Sequence, residues 1–220
     1  LNLIDIKGIR KKCKTNIFLS KADMDNIISR FRLESGKPFS EANPVIESNL
    51  EEYNTRVTAI GSPLSKKGTA IALRKRNGIP WTLPRLIKVG SLTPLAAGLL
   101  SFLVDGNSTL LIAGSRGAGK TTLLGALMME CPKSQRILTI EDTNELPVKK
   151  MQEEGYNIQS MTVNTKDKKN DIDTDDALKV SLRMGESALI LGEVRGKETK
   201  TLYEAMRSGT AGSSVLGTIH

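Results

Sequence analysis

Histidine occurs once in this chain, at position 220, tryptophan once and cysteine twice. Cys13 and Cys131 lie too far apart in sequence to form a disulfide framework or a metal cluster, and a reducing compartment is the simplest reading. Aromatic residues make up 4% of the chain, so its core must be mainly aliphatic. No apolar run is long. The longest, "PLAAGLLSFLV", is about half of what a bilayer-crossing helix needs, which excludes a membrane span of that kind without excluding work at a membrane surface. The opening "LNLIDIKGIRKKCK" lacks the uninterrupted apolar region and the cleavage site of a secretory signal. Acidic side chains are missing from Tyr53 to Val104, where Arg56, Lys66, Lys67, Arg74, Lys75, Arg76, Arg85 and Lys88 fall. Such a block attracts polyanions: nucleic acid, anionic lipid, nucleotide phosphates or an acidic neighbouring subunit. For any one of its lysines, a solvated surface is the ordinary reading.

What is present, in 220 residues with a net charge of +8, reads as two regions. Residues 1–80 hold short elements. In "KADMDNIISRFRLESG" the spacing of Met24, Ile27, Ile28 and Phe31 predicts a helix that Gly36 closes. "NPVIESNL", "TRVTAIG" and "TAIALRKR" read as strands. This is expected to be a small α+β domain. Residues 81–90, within and after "NGIPWTLP", are expected to be a linker. From residue 91 strands and helices alternate. Thr93 caps a helix that has Pro94 at its first position, and apolar strands "TLLIAG", "RILTIE", "ALILGE" and "SSVLGTIH" are separated by helices. An irregular part, with the charge-rich loop "NTKDKKNDIDTDD", follows the second of these strands. The pattern argues for an α/β fold, a parallel sheet covered by helices, over residues 91–220.

Between the first strand and its helix stands Gly114-Ser115-Arg116-Gly117-Ala118-Gly119-Lys120-Thr121-Thr122, which fits the P-loop pattern G-x-x-x-x-G-K-[ST]. Its glycines let backbone N–H groups turn inward toward phosphate oxygens, and the following helix adds the positive end of its dipole. Lys120 then reaches the β- and γ-phosphates and the Thr121 hydroxyl ligates Mg²⁺. Three more strands end in ionisable residues at the edge where parallel sheets bind ligands: Glu141 and Asp142, Glu193, and His220. Glu193 is the candidate to accept a proton from water or hold the metal's water shell. His220 is a candidate γ-phosphate sensor, although a lone His is more often a packing or surface residue. Glu145 reads as exposed. Arg183 and Arg195 are candidates to stabilise transferred phosphate charge or to hold subunits together, whereas Arg207 reads as a plain helix-end arginine. The methionines form no cofactor pattern, and core packing is their default.

Taken together, "GSRGAGKTTLL", "RILTIEDTNEL", "LRMGESALILGEVRGKE" and "EAMRSGTAGSSVLGTIH" resemble, in order and spacing, four motifs of the type II/IV secretion ATPase family: Walker A, Asp box, Walker B and the start of the His box. "RVTAIGSPLSKKGTAIALRK" resembles the end of that family's N-terminal domain, and the wording is nearest to archaeal and pilus-assembly members. The resemblance implies a RecA-like P-loop ATPase domain behind a smaller α+β domain, with ATP and Mg²⁺ as ligands. It implies Glu193 as general base, Glu141 and Asp142 on the metal and water side, His220 near the γ-phosphate, and Arg74 near the nucleotide, across a subunit boundary. It also implies a homo-oligomer of hexameric type, cytoplasmic and peripheral at the inner face of the membrane, partnered by a polytopic platform protein. The family's ATPase domain continues past its His box, so this chain is expected to be incomplete at its C-terminus. The CxxC pair of some bacterial members is absent from this sequence. Arg116 replaces a commoner small residue or Thr. Two other classes remain: a RecA-like nucleic-acid translocase, which the basic block suits but its lack of interleaved aromatics does not, and a non-catalytic nucleotide-gated scaffold, against which Lys120, Thr121, Glu141 and Glu193 argue together.

Overall fold

The computed structural model describes residues 2–4, 12–14, 16–75, 79–115, 117–163, 173–185, 187–194, 196–208 and 214–219. The chain divides into two compact units, Leu1–Gly78 and Ile79–His220.

In the first unit β1 (Asn2–Ile4) and β2 (Lys12–Lys14) pair antiparallel. Helix α1 (Lys21–Ser35) starts in a reciprocal capping box: the Asp23 N–H donates to Ser20 Oγ and the Ser20 N–H donates to the Asp23 carboxylate. Those bonds from Ser20, side chain first and backbone second, hold the Asp23 carboxyl below its ordinary range. Gly36, at φ +64°, ends the helix in the left-handed conformation that the sequence led us to expect. Strands β3 (Val45–Leu50), β4 (Thr55–Ile60) and β5 (Ala70–Lys75) form an antiparallel sheet in that order. Ile28 and Phe31 of α1 pack with Ile46, Leu50, Val57 and Ala59 of the sheet. On its other side Arg56 stands directly opposite Arg74.

The second unit opens with a difference from expectation. Residues 81–90, read as linker, hold helix α2 (Leu83–Lys88). Thr82 caps it, Pro84 lies where a missing N–H costs little, and Leu83 and Leu86 are buried. Proline and glycine punctuated that stretch without preventing a helix whose apolar face enters the core. Then follow α3 (Pro94–Asp105), β6 (Leu110–Ala113), α4 (Lys120–Met128), β7 (Ile137–Glu141), α5 (Val148–Glu153), β8 (Ile158–Thr162), α6 (Thr174–Ser181), β9 (Ala188–Val194), α7 (Glu198–Ser208) and β10 (Ser214–Ile219). Thr93 caps α3 by accepting from the Ala96 N–H, as expected. The part read as irregular after β7 contains α5 and β8. Strand β8 is an edge strand with only Ile158 fully buried, so it carries no apolar run to announce it.

The five strands lie in the order β6-β10-β9-β7-β8, and every pairing is parallel. Side chains alternate across the sheet. Ala188 and Ile190 of β9 enter the cluster formed with α2, α3 and α4, while Leu189 and Leu191 enter the cluster formed with α6 and α7. This is the α/β architecture anticipated for the region, and it brings the C-terminal ends of all five strands to one edge.

Candidate nucleotide site

At that edge β6 gives way to Gly114 and Ser115, and Gly117, Ala118 and Gly119 lead into α4. Gly117 and Gly119 have φ of +82° and +93°, and a Cβ at either would meet nothing within 4 Å. Backbone conformation rather than lack of room therefore selects glycine at both. The Ala118 N–H donates to the Ser115 carbonyl over 3.2 Å, tightening the loop. Lys120 reaches back across it: its ammonium donates to the Gly114 carbonyl over 2.7 Å and to the Ser115 carbonyl over 3.3 Å.

Helices α4 and α5 both start without a side-chain cap. Helices α1, α2, α3 and α6 are each capped by a side chain, from Ser20, Thr82, Thr93 and Asp173. Helix α4 begins at Gly119. Its first N–H groups are those a helix leaves without intrahelical partners, and they carry the positive end of the dipole. With the Lys120 ammonium alongside, this is a place for an oxyanion. Thr121 and Thr122 lie half-buried in the same first turn. From Leu124 to Met128 the helix is buried all round, so the loop stands on a rigid base.

Glu141 closes β7 and is 3% exposed. Its Oε1 accepts from the Glu145 N–H at 2.8 Å and from the Leu146 N–H at 3.0 Å. The strand end thereby holds the following loop. That loop in turn packs on α4: a Cβ on Gly125 would stand 3.2 Å from Pro147 Cδ. Asp142 is exposed at the bend, and Glu145, read as exposed, is half-buried beside Glu141.

Glu193 arrives by a route that strict alternation does not predict. Counting from Ile190, an odd-numbered residue of β9 faces α6 and α7. The pairing of β9 with β10 shifts here, from Leu191 opposite Gly217 to Val194 opposite Ile219. Two residues of β9 thus face the single Thr218. Leu191 and Val194 both join the α6/α7 cluster although they are three apart. Counting back from Val194 places Glu193 on the α4 side, with Gly192. A bulge of this kind re-aims a side chain at the end of a strand. Glycine at 192 is favoured by its neighbour, since a Cβ there would be 3.0 Å from Glu141 Cγ. The Thr218 hydroxyl donates to the Gly192 carbonyl over 2.6 Å.

Other expected site residues are placed apart. Arg183 is exposed in the turn after α6, before β9 begins, which is the sheet edge opposite the loop. Seven residues of β9 make that separation about 20 Å. A helix running back along the sheet has to end there, so Arg183 does not join the other groups within this chain. Arg74 is exposed on β5 of the first unit. Arg116, Arg195 and His220 lie outside the described residues, as does Arg76.

Sequence reasoning missed Gly192 and Thr218 in this neighbourhood, and also Glu198. The Glu198 carboxylate, 7% exposed, accepts from the Gly196 N–H over 2.7 Å and shapes the entry to α7. Asp173, Asp175 and Asp176 gather at the start of α6, where Asp175 binds Lys179 and Thr201. They serve the helix terminus and its tie to α7.

The Type II/IV secretion system protein family model matches residues 14–220. Protein MJ0781 of Methanocaldococcus jannaschii is 33% identical over 208 residues, covering 91% of this chain and 28% of that protein. The type IV secretion system protein VirB11 of Brucella abortus is 30% identical over 210 residues, covering 79% of this chain and 54% of that one. Among solved structures, the X-ray structure of the Legionella pneumophila ATPase DotB is similar in fold, with a TM-score of 0.59 at 21% identity, over 93% of this chain and 55% of that one. The chain therefore spans only about a quarter to about a half of the length of these relatives. A family match over nearly the whole chain means that this chain belongs to the type II/IV secretion system protein family.

Proposed function

We propose that this chain is the nucleotide-hydrolysing part of a motor ATPase that powers protein secretion or the assembly of type IV pilus or archaellum filaments. The observation that carries the reading is the Lys120 arch over an uncapped helix start. On nucleotide binding, Lys120 exchanges the carbonyls of Gly114 and Ser115 for β- and γ-phosphate oxygens. The N–H groups opening α4 hold the same phosphates. Thr121, half-buried beside Thr122, would offer its hydroxyl to Mg²⁺, which when bound would neutralise phosphate charge. Asp142 gives an exposed carboxylate to the metal's water shell, and Glu141, engaged with its loop, keeps that carboxylate in place. Glu193 takes a proton as water attacks the γ-phosphorus and the bond to ADP breaks. His220 and Arg195 are proposed to sense the γ-phosphate, and Arg74 to reach a phosphate across a subunit boundary.

A ring of six such subunits, peripheral at the inner face of the cytoplasmic membrane and docked on a polytopic platform protein, is the assembly in which this site would work. Among the described residues no helix is long and apolar enough to cross a membrane. Similarity to proteins named for secretion supports the motor class. The test is Mg-ATP turnover by the full-length protein with membrane vesicles carrying the platform protein, and separately with single- and double-stranded DNA. Stimulation by the platform vesicles is expected. Stimulation by DNA alone would transfer the chain to the nucleic-acid translocases, and absence of turnover would leave a nucleotide-gated scaffold.

A further inference from the structure

Strand β10 carries a polar side chain at a place where an apolar one would serve packing equally well. Thr218 is 1% exposed, between the core residue Leu216 and the end of the strand. It faces β6 at Ile112 on one side and the shifted part of β9 on the other. In an unbroken parallel ladder, backbone groups hold neighbouring strands together. At the shift two residues of β9 oppose one of β10, and the ladder skips there. The Thr218 hydroxyl spans the gap, donating to the Gly192 carbonyl. On the other side of Gly192 stands Glu141, whose Cγ would lie 3.0 Å from a Cβ there. The peptide preceding Glu193 thus lies between β10 and β7.

We infer that Thr218 is a positioning residue for hydrolysis: its hydroxyl fixes the β9 bulge and thereby aims the Glu193 carboxylate. The inference rests on Glu193 acting as the base. It sets Thr218 apart from the loop between β6 and α4, because its hydroxyl touches the β9 side of the site and not residues 114–122. A small misplacement of a base lowers the rate of proton transfer while leaving substrate binding intact.

The experiment uses full-length protein with Thr218→Val, which keeps the branched shape and removes the hydroxyl, and Thr218→Ser, which keeps the hydroxyl. Thr218→Ala serves as a second hydroxyl-free variant that cannot overfill the site should the valine protein not fold. ATP affinity, kcat, KM and Tm are measured for each, and for Thr218→Val combined with Glu193→Gln. The valine or alanine variant is expected to lose at least tenfold in kcat, with ATP affinity and KM within about twofold of wild type. Serine should restore kcat to within about threefold. The double variant should be no slower than Glu193→Gln alone, because Thr218 acts through that carboxylate. A hydroxyl-free variant with wild-type kcat and a lowered Tm overturns the inference, as does a serine variant as slow as valine. Absence of turnover in the wild-type protein is a different result, which removes the hydrolytic reading itself.

Discussion

The Lys120 ammonium donates to the Gly114 carbonyl over 2.7 Å, so the loop between β6 and α4 is spanned by the side chain expected to bind phosphate. A loop held in this way presents its curvature before ligand arrives. Lys120→Ala removes both the brace and the charge. Bonds involving a charged group contribute about 1.5–3 kcal/mol each, so ATP affinity should fall by roughly one to two orders of magnitude. Fluorescent-nucleotide titration reads this directly, and an affinity within a factor of about two of wild type would contradict it.

Two glycines should respond oppositely to the same substitution. Gly192→Ala drives a methyl to 3.0 Å from Glu141 Cγ and should destabilise by about 1–3 kcal/mol. Gly98 lies within α3 with nothing within 4 Å of a Cβ, and Gly98→Ala should stabilise by about 0.5–1 kcal/mol. Denaturant unfolding of both proteins checks the sign. A neutral Gly192→Ala would mean that Glu141 can move without cost.

Cys131 supplies a pH dependence. Burial, with a smaller contribution from Glu130, pushes its thiol from an ordinary 9.0 up to about 11. The neutral form is therefore favoured by folding. Stability from this group is intact below pH 9 and is lost as pH rises toward 11, by roughly 2–3 kcal/mol in all. In a Cys13→Ser background, unfolding free energy should decline over that window and Cys131→Ala should remove the decline. The thiol should also resist alkylation at neutral pH until the protein is unfolded.

At the contact between α6 and α7, Asp175 accepts from Lys179 and from Thr201. Bonds from Lys179 first and Thr201 second hold its carboxyl below the ordinary value. Asp175→Asn should cost about 1 kcal/mol at neutral pH, less the part that solvent already screens. The difference from wild type should shrink as pH falls through the carboxylate range, because protonation removes the same advantage. A difference that persists in acid would assign it to packing.

The legible parts of this fold were those with local causes. The turn between β6 and α4 declared itself through glycine spacing between an apolar strand and a helix, and α3 through Thr93 and Pro94. The features that stayed hidden have causes distant in sequence. Helix α2 forms in a Pro-rich stretch because the core receives Leu83 and Leu86. Strand β8 needs only one buried residue because it is an edge. Alternation within β9 alone would have turned Glu193 away from α4; the bulge that brings it there depends on β10, more than twenty residues later. Arg183 precedes β9 at the sheet edge away from the loop, a placement within the chain that its position between motifs did not reveal.

The claim that matters most is that Glu193 performs the proton transfer while the loop at Lys120 binds the nucleotide. The direct measurement is ATP affinity and Mg-ATP turnover, taken separately, for full-length wild-type and Glu193→Gln protein. The account predicts affinity within about threefold of wild type and turnover reduced by about two to four orders of magnitude. A Glu193→Gln protein that hydrolyses ATP at close to the wild-type rate would contradict it and move the base to another carboxylate at the same edge, Glu141 first.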